Sequence, residues 1–89
     1  MKSEQIRKLR ARAHPLKPVV IVGQAGVTEA VLKEIDLALE HHELIKVRIN
    51  GEDRDSRKTL CAAIVAAAGA TLVQQIGHVA SLYRKRPAG

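Results

Sequence analysis

The apolar residues of this chain change period from one segment to the next, and that alternation restricts the possible fold more than any other property of the sequence. Ile6, Leu9 and Ala13 recur at helical spacing, while Lys2, Arg7, Lys8, Arg10 and Arg12 occupy the remaining faces. The opening segment therefore reads as a basic amphipathic helix. His14-Pro15-Leu16-Lys17-Pro18 ends it, because each proline lacks a backbone donor and pushes its predecessor toward extended geometry. The β-branched run Val19-Val20-Ile21-Val22 predicts a strand. Its lack of polar alternation suits a strand covered on both faces or central in its sheet.

Gly23-Gln24-Ala25-Gly26 joins that strand to a second helix, with Thr28 as its N-cap and Val31, Ile35 and Leu39 as its buried stripe, running to about His41. Residues 44–50 then alternate. Ile45, Val47 and Ile49 point one way and Leu44, Lys46, Arg48 and Asn50 the other, as in a half-buried strand with a basic outer face. After a polar turn, Asp53 or Asp55 caps a third helix that carries Leu60, Ile64 and Ala67 inward. Its Ala-rich half suits close packing on a sheet, and Gly69 stops it. Residues 71–76 and 78–83 form an antiparallel hairpin divided at Gly77, and Arg84-Lys85-Arg86-Pro87 is a loose basic tail. The order α-β-α-β-α-β-β predicts a single α/β domain of two layers with a mixed four-stranded sheet. Its first strands are parallel through helical crossovers, and the hairpin is antiparallel.

At 89 residues, with 46% hydrophobic and 27% charged residues, the chain can build one compact core and is too apolar to remain disordered. No apolar stretch approaches the length of a membrane-spanning helix, and no signal-peptide pattern opens the sequence. One cysteine, Cys61, allows no internal disulfide, which points to the cytoplasm. Aromatic rings are almost absent: there is no Phe, no Trp and one Tyr, at position 83. A sheet or barrel that reads single strands by stacking several bases lacks its platform here.

Residues suited to catalysis are scarce. His41-His42-Glu43 lacks the second histidine of a metalloprotease helix, since position 46 is Lys46, and the pair is better explained by the negative end of a helix. Cys61 beside Ala62 and Ala63 suits a small core position. Glu52, Asp53 and Asp55 serve capping and turn formation near Arg54 and Arg57. These patterns predict no enzyme, no metal, no cofactor and no small-molecule substrate. The glycine-rich loop lacks the lysine and hydroxyl of a nucleotide-binding P-loop, yet amides opening a helix suit phosphate oxygens.

Fifteen Lys and Arg against nine Asp and Glu leave a formal charge of +6. The basic residues cluster: five on the first helix from Lys2, then Lys17, then Lys46 and Arg48 on one strand face, then Arg84, Lys85 and Arg86. Between Arg7 and Lys17 there is no acid. Such a field attracts polyanions, and nucleic acid is the expected partner.

Three stretches, Ala13-His14-Pro15-Leu16-Lys17-Pro18-Val19-Val20, Gly23-Gln24-Ala25-Gly26-Val27-Thr28-Glu29 and Leu39-Glu40-His41-His42-Glu43-Leu44-Ile45-Lys46-Val47, are joined by Ile76-Gly77 and Leu82-Tyr83-Arg84. Together they resemble the YhbY-type CRM domain, the chloroplast RNA splicing and ribosome maturation domain, in its free-standing bacterial form. The resemblance implies a fold similar to the C-terminal domain of translation initiation factor three. It also implies association with ribosomal RNA in precursors of the large ribosomal subunit, or organellar splicing in larger plant proteins. The chain is thus expected to act as a monomeric RNA-binding assembly factor. Amides of Gly23, Gln24, Ala25 and Gly26 receive phosphate, while Arg7, Lys8, Arg10, Arg12, Lys17, Lys46, Arg48 and Arg84 supply charge and Tyr83 one stacking ring. Recognition favours shape and backbone over base sequence. The rival reading is a protein-interaction adaptor on a ribonucleoprotein, docked through the Ala-rich helix and an open sheet face.

Overall fold

A computed structural model describes residues 2–23 and 25–86. The elements follow the expected order: α1 (Ser3–Ala13), β1 (Pro18–Val22), α2 (Glu29–His42), β2 (Leu44–Ile49), α3 (Arg54–Ala68), β3 (Thr71–Ile76) and β4 (Val79–Tyr83). They form one four-stranded sheet in the order β1-β2-β4-β3. β1 and β2 are parallel, and the β2–β4 and β3–β4 pairs are antiparallel.

Strand parity assigns the faces. Ile45, Val47 and Ile49 of β2 share a core with Val20 and Val22, Ala80 and Leu82, and with Ile35, Leu39, Cys61 and Ile64 from α2 and α3. Leu44 projects to the other side, where it joins Leu9, Ala13 and Val73, with Tyr83 packed against them. α1 therefore covers the opposite face, adding a third layer to the two expected. An apolar Leu44 among Lys46, Arg48 and Asn50 needs that cover, and the narrow stripe of α1 supplies it. Truncating a fully buried Ile or Leu to Ala costs about 2–5 kcal/mol, a large part of the stability of a domain this size.

Two expectations change. β1 is an edge strand, with Val19 54% and Ile21 60% exposed, while Val20 and Val22 are buried. Pro18 at its start has no amide to donate, so an edge placement leaves no bond unmade. Its apolar run reads as if both faces were covered, although only one is. In α3 the inward residues are Cys61 and Ile64 with Leu60, Val65 and Ala68 beside them, whereas Ala67 and Ala62, Ala63 and Ala66 are exposed. Only one stripe of the helix meets the core, and alanines on the solvent side raise helix propensity.

The helix ends follow the sequence. Thr28 Oγ1 accepts a hydrogen bond from the Val31 amide at 3.2 Å. Gly69 closes α3 in the left-handed region at φ 63°. Asp53 Oδ1 accepts from the Ser56 amide at 2.7 Å, and that bond holds its carboxyl below the ordinary aspartate pKa. A carboxyl whose pKa is depressed on folding contributes stability above its unfolded pKa and loses it as pH falls through the folded value. Chemical-denaturation curves at neutral and acidic pH should show this: Asp53→Asn keeps a cap acceptor but reduces the acid-induced loss of stability. An unchanged acid dependence would show that the bond does not couple to folding.

Glu43 caps α2 at φ 61°, a conformation unfavourable for a residue with a Cβ. It is held from several sides. Its amide donates to the Leu39 carbonyl at 2.8 Å, its carbonyl accepts from the Arg84 amide at 2.9 Å, and its Oε2 accepts from the Arg86 amide at 2.8 Å. The tail expected to be loose is therefore tied down through Arg86; positions 87–89 lie outside the described residues.

Candidate nucleic-acid interface

The fold separates charge by face. α1, the segment after it and the outer side of β2 hold Lys2, Arg7, Lys8, Arg10, Arg12, Lys17, Lys46 and Arg48 with one acid, Glu4, a formal +7. The remaining seven basic and eight acidic residues give −1. These acids lie on α2, on its cap Glu43, and in the approach to and first turn of α3. The field of the molecule is thus concentrated on the side that carries α1.

Because α1 covers only the end of the sheet near Leu44, Val73 and Tyr83, the rest of that face is open. A groove of about 340 Å³ runs between the C-terminal half of α1 and the strands, with Arg10 and Lys46 among its lining residues. Both cations are positioned by backbone. Arg10 Nε donates to the Val73 carbonyl at 3.3 Å, and Lys46 Nζ donates to the His14 carbonyl at 3.2 Å. Arg48 Nε donates to Asn50 Oδ1 at 3.2 Å further along β2. Each group keeps donors free for an anion.

Arg7, Lys8 and Arg12 are exposed on α1, and Lys17 is exposed on the connection to β1. Arg12 and Lys17 line a second depression beside Val19 and His42. At the far end of β1 the amide of Gly26 donates to the Gly23 carbonyl at 3.0 Å, with Gly26 at φ 77° and Ala25 exposed. Gln24 lies outside the described residues. Five strand residues at about 3.3 Å each set this loop about 16 Å from the α1 end of the groove. Behind the loop stands the N-terminus of α2, whose partial positive charge favours phosphate. On the α3 side the loop adjoins Glu52, so an anion is better received from the sheet side, toward Arg48.

Tyr83 and Arg84 are occupied elsewhere. The Tyr83 ring packs against the Leu9, Ala13, Leu44 and Val73 cluster. The Arg84 guanidinium donates to Asp36 Oδ1 at 2.6 Å and to the Ala68 carbonyl at 2.9 Å, joining α2 to α3. Both side chains are engaged within the fold. The groove also brings in His14, Leu16, Gln74, Ile76, Val79 and Ser81, which the sequence reading left out. Gln74 and Ser81 are uncharged polar residues in short strands, and neither charge nor apolar periodicity singles them out in the sequence. Cys61 is buried on α3, where burial pushes its thiol pKa up and makes it a poor nucleophile.

Residues 1–84 match the family model of the CRS1 / YhbY (CRM) domain. Over 84 residues, 94% of this chain and 85% of the relative, the sequence is 48% identical to a Haemophilus influenzae protein named RNA-binding protein. Identity to the Pseudomonas aeruginosa protein named Probable RNA-binding protein PA4753 is 45%, over 94% of this chain and 81% of the relative. The solution structure of the hypothetical protein SAV1595 from Staphylococcus aureus has the same fold, with a TM-score of 0.87 and 35% identity. That match covers 99% of this chain and 92% of SAV1595.

Proposed function

The chain belongs to the CRS1/YhbY (CRM) domain family, and we propose that it binds structured RNA as a cytoplasmic monomer, serving assembly of the large ribosomal subunit without turning the RNA over. The observation that carries this reading is the segregation of a formal +7 onto the face that also holds an open groove. RNA backbone lies across Arg10, Lys46 and Arg48 toward the loop of Gly23 and Gly26, with Arg7, Lys8, Arg12 and Lys17 extending the contact along α1. Cationic side chains supply affinity by releasing counterions from phosphates, and the loop admits backbone close to the protein. Family membership and the relatives' names support RNA as the partner, and precursor ribosomal RNA is the target in this reading.

Crosslinking the protein to RNA in living cells and sequencing the attached fragments tests it. Enrichment of large-subunit ribosomal RNA, with precursor sequences over-represented, is the expected result. Fragments spread in proportion to total cellular RNA would refute the assembly role, and recovery of protein partners without RNA would favour the adaptor reading.

A further inference from the structure

We propose that the groove between α1 and the open sheet face seats one unpaired RNA base, whose edge is read by Gln74 and Ser81. This rests on the RNA-binding reading and adds a base-specific contact to it.

Strand register builds the floor of the site. Lys46 pairs with Ser81, and Ser81 with Gln74, so a cation, a hydroxyl and an amide stand in one row across β2, β4 and β3. The row faces away from the main core. Ser81 is 5% exposed and is the buried polar residue among those described. It lines the groove and leaves no sealed, unpartnered polar atom, so its hydroxyl is available from the groove side. A hydroxyl open to the groove is hydrated there, and a base edge that takes the water's place keeps that hydrogen bond while burying its ring.

The remaining chemistry fits a base. Leu16, Ile76 and Val79 make apolar walls, with Leu16 and Ile76 still exposed, so a flat ring can lie between aliphatic surfaces where no aromatic platform exists. Gln74 offers both a donor and an acceptor, the pairing that suits an adenine edge. Arg10 and Lys46 also line the groove, and their cationic ends can meet the phosphates flanking an inserted nucleotide. At about 340 Å³ the groove is near the lower limit of small-ligand sites, which accommodates one nucleotide and excludes a duplex. Bases available for insertion belong to loops and bulges.

The test uses the intact protein and three RNA hairpins with one stem: fully paired, carrying a single bulged adenosine, and carrying an abasic bulge. The bulged adenosine is expected to bind about tenfold or more tighter than the abasic bulge, the discrimination typical of a two-bond base contact. Gln74→Ala and Ser81→Ala should each shrink that preference while leaving affinity for the fully paired hairpin unchanged. Amide NMR shifts at Gln74 and Ser81, and a fluorescence change from 2-aminopurine at the bulge, should report insertion directly. Equal affinity for bulged and abasic RNA, with the paired hairpin also bound, overturns the base site and leaves RNA binding standing. An undiminished preference in both variants also overturns it. Failure to bind any hairpin at low salt overturns the RNA reading itself.

Discussion

Replacing Arg10 and Lys46 together by Glu is expected to weaken binding to a structured RNA by about a hundredfold or more at low salt. A cation and a phosphate at contact distance attract by about 1 kcal/mol in water, and reversal exchanges that attraction for a similar repulsion. Two sites then lose about 4 kcal/mol, and each 1.4 kcal/mol is about tenfold. The parent protein, making about five phosphate contacts, should show a log–log salt slope of roughly −3.5 to −4.5, and the double variant should be shallower by about two contacts' worth. Each substitution also removes one hydrogen bond to a carbonyl, to Val73 or to His14, so melting curves must accompany the binding data. The decisive control is Lys33→Glu with Lys58→Glu, which changes net charge equally on α2 and α3, away from α1. If both double variants bind alike, net charge alone governs the attraction and the face assigned here has no special part. Salt-insensitive binding by the parent would remove the electrostatic basis altogether.

That the relevant face could be only partly foreseen has a physical reason. Local chemistry writes itself into sequence: Thr28, Asp53 and Gly69 end or begin helices through bonds to residues within a few positions, and each does so in the structure. Period likewise fixes which strand residues share a side, so Ile45, Val47 and Ile49 were legible as core. What period omits is the identity of the neighbour. Val19 and Ile21 carry the same apolar signal whether a helix covers them or solvent does, and the edge position of β1 depends on a strand order set by distant segments. Leu44 was the available clue to the placement of α1, since an apolar side chain on a basic strand face calls for cover. Arg84 illustrates the converse. In sequence it adjoins Lys85 and Arg86 and reads as part of a basic tail, but its partner Asp36 lies 48 residues away. The groove is equally nonlocal, because Arg10, Lys46, Gln74 and Ser81 come from four elements and meet only through sheet register.

Changing Gln24 and Ala25 together to Asp should separate two roles of the glycine loop. Gly26 stands at φ 77°, so any variant that touches it mixes backbone strain with ligand effects. The double Asp substitution keeps both glycines and the turn they frame. It adds two carboxylates where phosphate oxygens are expected, on a loop whose Ala25 is exposed. At an effective dielectric of about 20, like charges at 4 Å repel by about 4 kcal/mol, so even partial screening leaves a loss of about tenfold or more. The new charges also sit just before α2, where a helix N-terminus favours anions, so the fold should not suffer. Reduced affinity with an unaltered melting temperature is therefore the expected pair of results. A variant that melts normally and binds RNA as tightly as the parent would reduce the loop to a connector, and the affinity would then rest on α1 and β2 alone.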